Sequence, residues 1–150
     1  MVMKQMNSKI SKVVDNIVGE NLIYIEPINM YGAIIGDNVF IGPFCEIQKD
    51  VIIGCNVRIQ SHSFICEKTY IGDDTFIAHG VMFTNDKFAD GKLSKDYLPT
   101  YIGQRCRIGS NVTLLPVKIC DDVTIGAGSV VTKDINEPGI YAGNPARRIK

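Results

Sequence analysis

The sequence predicts an all-β fold in which the chain winds through short strands and tight corners, one flat side for every six residues. Three observations predict it. Isoleucine recurs at positions 35, 41, 47, 53, 59, 65, 71 and 77, and Phe83 takes the next place in the same series. Four residues after each of these isoleucines stand Val39, Cys45, Val51, Val57, Ser63, Thr69, Thr75 and Val81, all small or β-branched. Directly after the isoleucine comes Gly36, Gly42, Gly54 or Gly72, with Ala78 as a near substitute. The small residue and the next isoleucine are two apart, so they point to one side of a strand, and the four residues between must turn a corner. Glycine after the inward isoleucine is expected to supply the conformational freedom for that bend. A period of six rotates successive isoleucines off any single helical face, and the β-branched residues argue against a helix as well.

Along the chain, the stretch to about residue 30 keeps a ragged version of the repeat. Its opening, Met1 to Val14, fits either a short helix or a mobile arm. The repeat then runs unbroken to Phe83. From Phe83 to Ile102 is 19 residues, one hexad plus an insertion of 13. The insertion, Thr84 to Tyr101, holds Asn85, Asp86, Asp90, Gly91 and Pro99. A polar excursion from a regular coil points to function, because nothing in the core requires it. The series resumes at Ile102, Ile108 and Leu114, with Cys106 and Val112 in the small positions. One residue is dropped around Pro116, and Ile119, Ile125 and Val131 complete a further coil. Residues 1–150 thus read as one domain, with a ragged part at 1–30, a loop at 84–101 and a closing segment at 125–150.

Sixteen Lys plus Arg balance sixteen Asp plus Glu among 150 residues. Zero net charge gives no basic field for a nucleic-acid backbone or an anionic membrane, and neither is expected as a partner. No apolar run approaches the roughly 20 residues that span a bilayer, and no leader pattern opens the chain, so a cytoplasmic protein is expected. Five cysteines, Cys45, Cys55, Cys66, Cys106 and Cys120, form no CxxC pair and suit reduced thiols.

The hexad resembles that of the hexapeptide-repeat acyltransferases. The resemblance implies a left-handed parallel β-helix with three hexads per triangular coil; the hand comes from the resemblance alone, since right-handed crossovers are the general rule. With three sides, residues 18 apart stack: Ile35, Ile53 and Ile71 on the first, Ile41, Ile59 and Ile77 on the second, Ile47, Ile65 and Phe83 on the third. Coils then rise by about 4.8 Å each. Glu67 and Asn85, each two residues past the inward residue of the third side, fall one above the other at a corner, with Lys49 a coil below and Pro116 a coil above.

The stretches Gly80-Val-Met-Phe-Thr-Asn85 and Gln60-Ser-His-Ser-Phe-Ile-Cys-Glu67 are similar to those of the sugar-nucleotide 3-N-acetyltransferases, which acetylate a 3-amino group on a dTDP- or UDP-linked sugar. The resemblance implies acetyl-CoA as co-substrate and Asn85 and Glu67 beside the acceptor amine; His62 and Asp86 are further candidate substrate contacts, and His79 a further catalytic candidate. Relatives that acetylate hydroxyls place a histidine base at the start of the comparable loop, where this chain has Asn85. A hydroxyl needs such a base, whereas a neutral amine already owns a nucleophilic lone pair. Direct attack on the thioester is therefore expected, with backbone N–H groups steadying the oxyanion.

His79 stacks with Ser110 and Ala127 and would lie near the thioester if pantetheine follows that column. Two histidines do not make a three-His zinc site, and no metal is expected. The ending, Ile125-Gly-Ala-Gly-Ser-Val-Val-Thr-Lys-Asp134 and Gly139-Ile-Tyr-Ala-Gly-Asn-Pro-Ala-Arg-Arg-Ile149, resembles those of acetyl-CoA-dependent members. By that resemblance Gly109, Ser110, Gly126 and Ala127 admit the pantetheine arm, and Lys133, Arg147 and Arg148 meet the nucleotide phosphates. The same segment also suits a cap on the last coil.

The family-like part covers residues 30–149. No Gly-rich fingerprint after a strand appears in it, which favours the compact 3-amino group over two-part enzymes that acetylate 4-amino sugars. A homotrimer with sites between subunits is implied, as is a role in a bacterial surface glycan. Two other readings stay open: an O-acetyltransferase of a small sugar or amino acid, and a noncatalytic β-helix scaffold. Glu67 and Asn85 also fit plain solvated corners, and either histidine a surface position.

Overall fold

A computed structural model describes residues 13–93 and 95–150. Most of Met1 to Val14 lies outside the described residues; Val13–Val14 is a strand, paired in parallel with Asn29–Tyr31. Every element among the described residues is a short strand, and the strands stack into three sheets. The first side has six strands, the second eight and the third seven. The register is the one the repeat predicts. Ile35 pairs with Ile53 and Ile53 with Ile71; Ile41 pairs with Ile59 and Ile59 with Ile77; Ile47 pairs with Ile65, and Phe64 with Met82.

Each strand sends one residue inward and its neighbour outward. Ile41, Ile47, Ile59, Ile65, Ile77 and Ile108 have no exposed surface, while outward Arg58 and Ile52 are exposed. The small positions fill the corners of the same core: Val39, Val57, Val81 and Val112 are buried with them.

The structure corrects the reason given for the glycines. The left-handed backbone that turns the corners falls two residues later, most often at Asn or Asp, as at Asn38, Asn56, Asp74, Asn111 and Asp122 with φ between 57° and 60°, but also at Phe44, His62, Lys68 and Arg105. Asn and Asp tolerate that conformation best among residues with a side chain. The glycine serves closeness instead. A Cβ on Gly42 would lie 2.7 Å from the Ser61 nitrogen of the next coil, and one on Gly109 would lie 2.6 Å from that of Ala127.

The N-terminal stretch is ragged in sequence but forms a full coil. Val13, Val18 and Tyr24 pair with Met30, Ile35 and Ile41. The register was hidden because two corners are one residue short, from Val13 to Val18 and from Met30 to Ile35. From the first of them the Asn16 side chain bridges the second, donating from Nδ2 to the Met30 carbonyl at 3.1 Å and accepting from the Ala33 amide at 3.0 Å.

All changes in chain length fall at this one corner, which follows the third side. It takes five residues from Leu114 to Ile119, six from Ile65 to Ile71, and 19 from Phe83 to Ile102, yet Ile71 still pairs with Ile102 and Ile102 with Ile119. At the far end, strand Gly139–Ala142 adds to the second side and strand Arg147–Arg148 turns back antiparallel on it. This hairpin covers the last coil.

Candidate functional site

The variable corner holds a cavity of about 360 Å³. Glu67 and Asn85 line it together, as 18-residue stacking requires, with Gln48 and Thr84 on the polar wall and Phe64, Cys66 and Phe83 on the apolar one. The insertion supplies Tyr97. Lys49, one coil below, brings its Nζ to 3.9 Å from Glu67 Oε1. The Glu67 amide donates to Gln48 Oε1 at 3.2 Å, and Gln48 Nε2 donates to Glu46 Oε1 at 3.0 Å. Gln48 thus ties the backbone of Glu67 to the outer face of the third side. Burial, and then the charges of Glu46 and Glu67, push the nearby Tyr31 phenol above its ordinary range. Burial likewise raises the Cys66 thiol, so it stays protonated and is a wall of the cavity rather than a nucleophile.

The insertion is pinned at its base. The Leu98 amide donates to the Asn85 carbonyl at 2.8 Å, and Lys68 Nζ donates to the Tyr97 carbonyl at 3.1 Å. Asp86 is buried and accepts from the Phe88 amide at 2.9 Å. Its carboxylate shapes the loop and does not line the cavity.

The other proposed residues stand elsewhere. His62 and His79 belong to the corner after the second side. His62 is exposed and its ring stacks on Phe44 with centroids 4.9 Å apart. His79 Nδ1 is 3.0 Å from Ser61 Oγ. Ser110 and Ala127 follow above His79, because Ile77, Ile108 and Ile125 are in register. Gly109 and Gly126 sit one residue before them, and Ala127 is exposed, leaving a narrow column without bulk.

Lys133, Arg147 and Arg148 line a cleft of about 280 Å³ with Tyr141 and Ala146. Lys133 returns to the corner of Asn85, higher in the stack. Arg148 is engaged by the fold: it bonds Glu137 Oε2 at 2.7 Å and the Pro138 carbonyl at 3.2 Å, closing the terminal hairpin. Lys133 and Arg147 are exposed. Among the described residues, no group of three or more His, Cys, Asp and Glu is placed to hold a metal ion.

One chain therefore carries two distinct features on the corners flanking the third side, a polar cavity at Asn85 and a small-residue column at His79. Gln48 and Tyr97 were missed in the sequence. Gln48 is one residue past Ile47 and in register beneath Cys66 and Thr84, so stacking alone would have found it. Tyr97 lies in the irregular insertion, where no register exists.

Comparison with known proteins adds the family. The family described as "Bacterial transferase hexapeptide (six repeats)" matches residues 32–67 and 50–85, and "Hexapeptide repeat of succinyl-transferase" matches residues 99–133. The chain belongs to the hexapeptide-repeat transferases. Its three-sided coil is the left-handed β-helix of that family. The bifunctional protein GlmU of Streptococcus uberis is 31% identical over 150 residues, covering 92% of this chain and 32% of the relative. The chain thus spans about a third of the length of the curated relatives it matches.

Among solved structures, a variant of AntD from Bacillus cereus is similar at 25% identity and a TM-score of 0.79, covering 91% of this chain and 83% of that one. AntD is described as an N-acyltransferase, there in complex with dTDP-4-amino-4,6-dideoxyglucose and coenzyme A. A galactoside acetyltransferase in complex with coenzyme A is similar at 31% identity and a TM-score of 0.64, covering 89% of this chain and 63% of that one.

Proposed function

We propose that the protein is an acetyl-CoA-dependent N-acetyltransferase that modifies the C3 amino group of a dTDP- or UDP-linked amino sugar, for a bacterial surface polysaccharide. The observation that carries this reading is the cavity in which Asn85 stands over Glu67 at the base of the insertion, with Asn85 at the position where relatives that acetylate hydroxyls place a histidine. That wall suits an acceptor needing orientation more than deprotonation. The complexes of AntD and of the galactoside acetyltransferase support a coenzyme A thioester as donor, and that of AntD supports a nucleotide-linked amino sugar as acceptor. The C3 position rests on the stretches Gln60–Glu67 and Gly80–Asn85; the sugar bound to AntD carries its amine at C4.

In the proposed reaction the amine nitrogen lone pair attacks the thioester carbonyl carbon. Asn85 accepts a hydrogen bond from the amine and Glu67 orients it. The tetrahedral intermediate collapses with cleavage of the C–S bond, and the departing thiolate takes the surplus proton from nitrogen. The arm of the donor follows Gly109, Ser110, Gly126 and Ala127 past His79, and Lys133 and Arg147 meet its phosphates.

Because these groups occupy two corners of one prism, a complete site takes two chains, which supports a homotrimer. The outer face of the first side supports it as well: Ile34 and Ile52 are 46% and 40% exposed, and Tyr70 and Tyr101 stack 4.7 Å apart above them. The five free thiols are in keeping with a cytoplasmic site of reaction.

The test is mass-spectrometric detection of product from a panel of dTDP- and UDP-linked 3-amino, 4-amino and 3-hydroxy sugars with acetyl-CoA. Acetylation of the 3-amino sugars is expected, and Asn85→Ala should lower kcat by about 10²-fold through misplacement of the amine, with the KM for acetyl-CoA within about twofold. Acetylation of the hydroxy sugar alone would sink the assignment.

A further inference from the structure

We infer that Tyr97 is the sugar-recognition residue of the cavity and that Lys68 is the residue that positions it, an inference resting on the acceptor reading above. Beyond Thr84 and Asn85 at its start, Tyr97 is the one described residue of the insertion that lines the cavity. The middle of the insertion is exposed, with Phe88 at 56% and Leu93 at 81%.

Tyr97 is held from below. Lys68 follows Glu67 directly, at a left-handed φ of 60°, so two adjacent residues serve different clients. Glu67 lines the cavity, while Lys68 sends its ammonium to the Tyr97 carbonyl at 3.1 Å. The Lys68 carbonyl in turn accepts from the Thr100 amide at 3.1 Å, where the chain re-enters the coil. With the bond from the Leu98 amide to the Asn85 carbonyl, both residues flanking the excursion are fastened to the corner that carries Glu67 and Asn85.

The chemistry assigns the ring its ligand. The polar wall satisfies hydroxyl and amino groups, but a pyranose also presents a face of C–H groups. Phe83 is buried and Phe64 half-buried in the wall, so neither ring stands free of it. The ring of Tyr97 is almost half exposed, rigid, and at the mouth of the same cavity, so closing over a sugar removes its apolar surface from water. A contact of this kind persists from the bound substrate to the transition state, so its loss raises KM and spares kcat.

Steady-state kinetics with the full chain, acetyl-CoA and the acetylated nucleotide sugar tests this. Tyr97→Leu should raise the KM for the amino sugar about tenfold, with kcat and the KM for acetyl-CoA within about twofold. Tyr97→Phe should recover most of that loss, because the ring rather than the hydroxyl makes the contact. Lys68→Met should raise the same KM about threefold and Lys68→Arg should recover it. Competitive inhibition by the free nucleoside diphosphate should keep its constant within about twofold in Tyr97→Leu.

An unchanged KM, or a fall in kcat alone, overturns the role of Tyr97. A nucleotide inhibition constant that rises in parallel overturns the sugar contact in favour of the base. An unchanged KM in Lys68→Met overturns the role of Lys68. If the wild-type protein acetylates no nucleotide-linked amino sugar, the acceptor reading itself has failed, which these variant effects do not mimic.

Discussion

Replacing Gly109 by alanine separates two explanations of the repeat glycines. The added Cβ would lie 2.6 Å from the Ala127 nitrogen, 2.7 Å from the Ile125 oxygen and 2.9 Å from the Ala127 Cα, all backbone of the next coil. Carbon contacts are comfortable at about 3.5 Å or more, so the coils must part by about 0.9 Å at that point. They are joined there by the Gly109 amide, which donates to the Ile125 carbonyl at 2.8 Å. Parting by that amount carries the bond past about 3.5 Å, beyond useful geometry. Overpacking costs about 1–3 kcal/mol and a lost buried hydrogen bond about 1 kcal/mol. The expected destabilisation is about 3 kcal/mol, or a fall of roughly 6–12 °C in Tm for a chain of this size.

Urea and thermal denaturation followed by far-ultraviolet circular dichroism suit a protein without Trp. Gly128→Ala is the comparison: its φ is 70° but its Cβ would meet nothing within 4 Å, so only about 1 kcal/mol of left-handed strain is expected. A Gly109→Ala protein within about 0.5 kcal/mol of wild type, or more stable than Gly128→Ala, would refute close approach as the reason for these glycines.

Two further outcomes follow from groups outside the cavity. The hydrogen bond from Arg105 Nε to Asp122 Oδ1, 2.8 Å, and then the charge of Arg105, hold the Asp122 carboxyl below the usual carboxylate range. A depressed native value contributes stability above the unfolded value that is lost as pH falls through the native one. Asp122→Asn should therefore lower Tm at neutral pH, with the difference from wild type vanishing in acid; a difference independent of pH contradicts the pairing. Burial raises the thiols of Cys45, Cys66 and Cys106, and all three are buried. A thiol reagent at neutral pH should find at most two of the five cysteines in the folded protein and all five in denaturant, and rapid titration of four or more in the folded state contradicts the packing.

The winding of the chain was legible because one inward residue per hexad has no alternative to burial. Ile41, Ile59 and Ile77 announce the second side by themselves. Stacking by 18 then puts Glu67 beside Asn85 from spacing alone. Two things were not legible, for different reasons. The role of the glycines depends on distances between coils, and sequence spacing alone does not separate a bend at Gly109 from a close pass of Ala127. The surroundings of Arg148 and Asp86 depend on partners that spacing does not reveal: Arg148 bonds Glu137, and Asp86 accepts from the Phe88 amide.

The corner after the third side absorbs five, six or 19 residues without moving any strand of the stack. Length and register are thereby uncoupled along one edge of the molecule. Lengthening a surface connection costs little, about 0.6 kcal/mol for each doubling, so this edge can be rewritten cheaply. A replacement for the segment between Asn85 and Leu98 has only to close a gap that one 2.8 Å hydrogen bond already spans. The other two corners keep six residues in every coil and set the spacing of the column at His79, Ser110 and Ala127. On the proposed reading, acceptor choice and donor handling can therefore diversify independently in this architecture, one by exchange of a loop and the other by single substitutions in a fixed lattice.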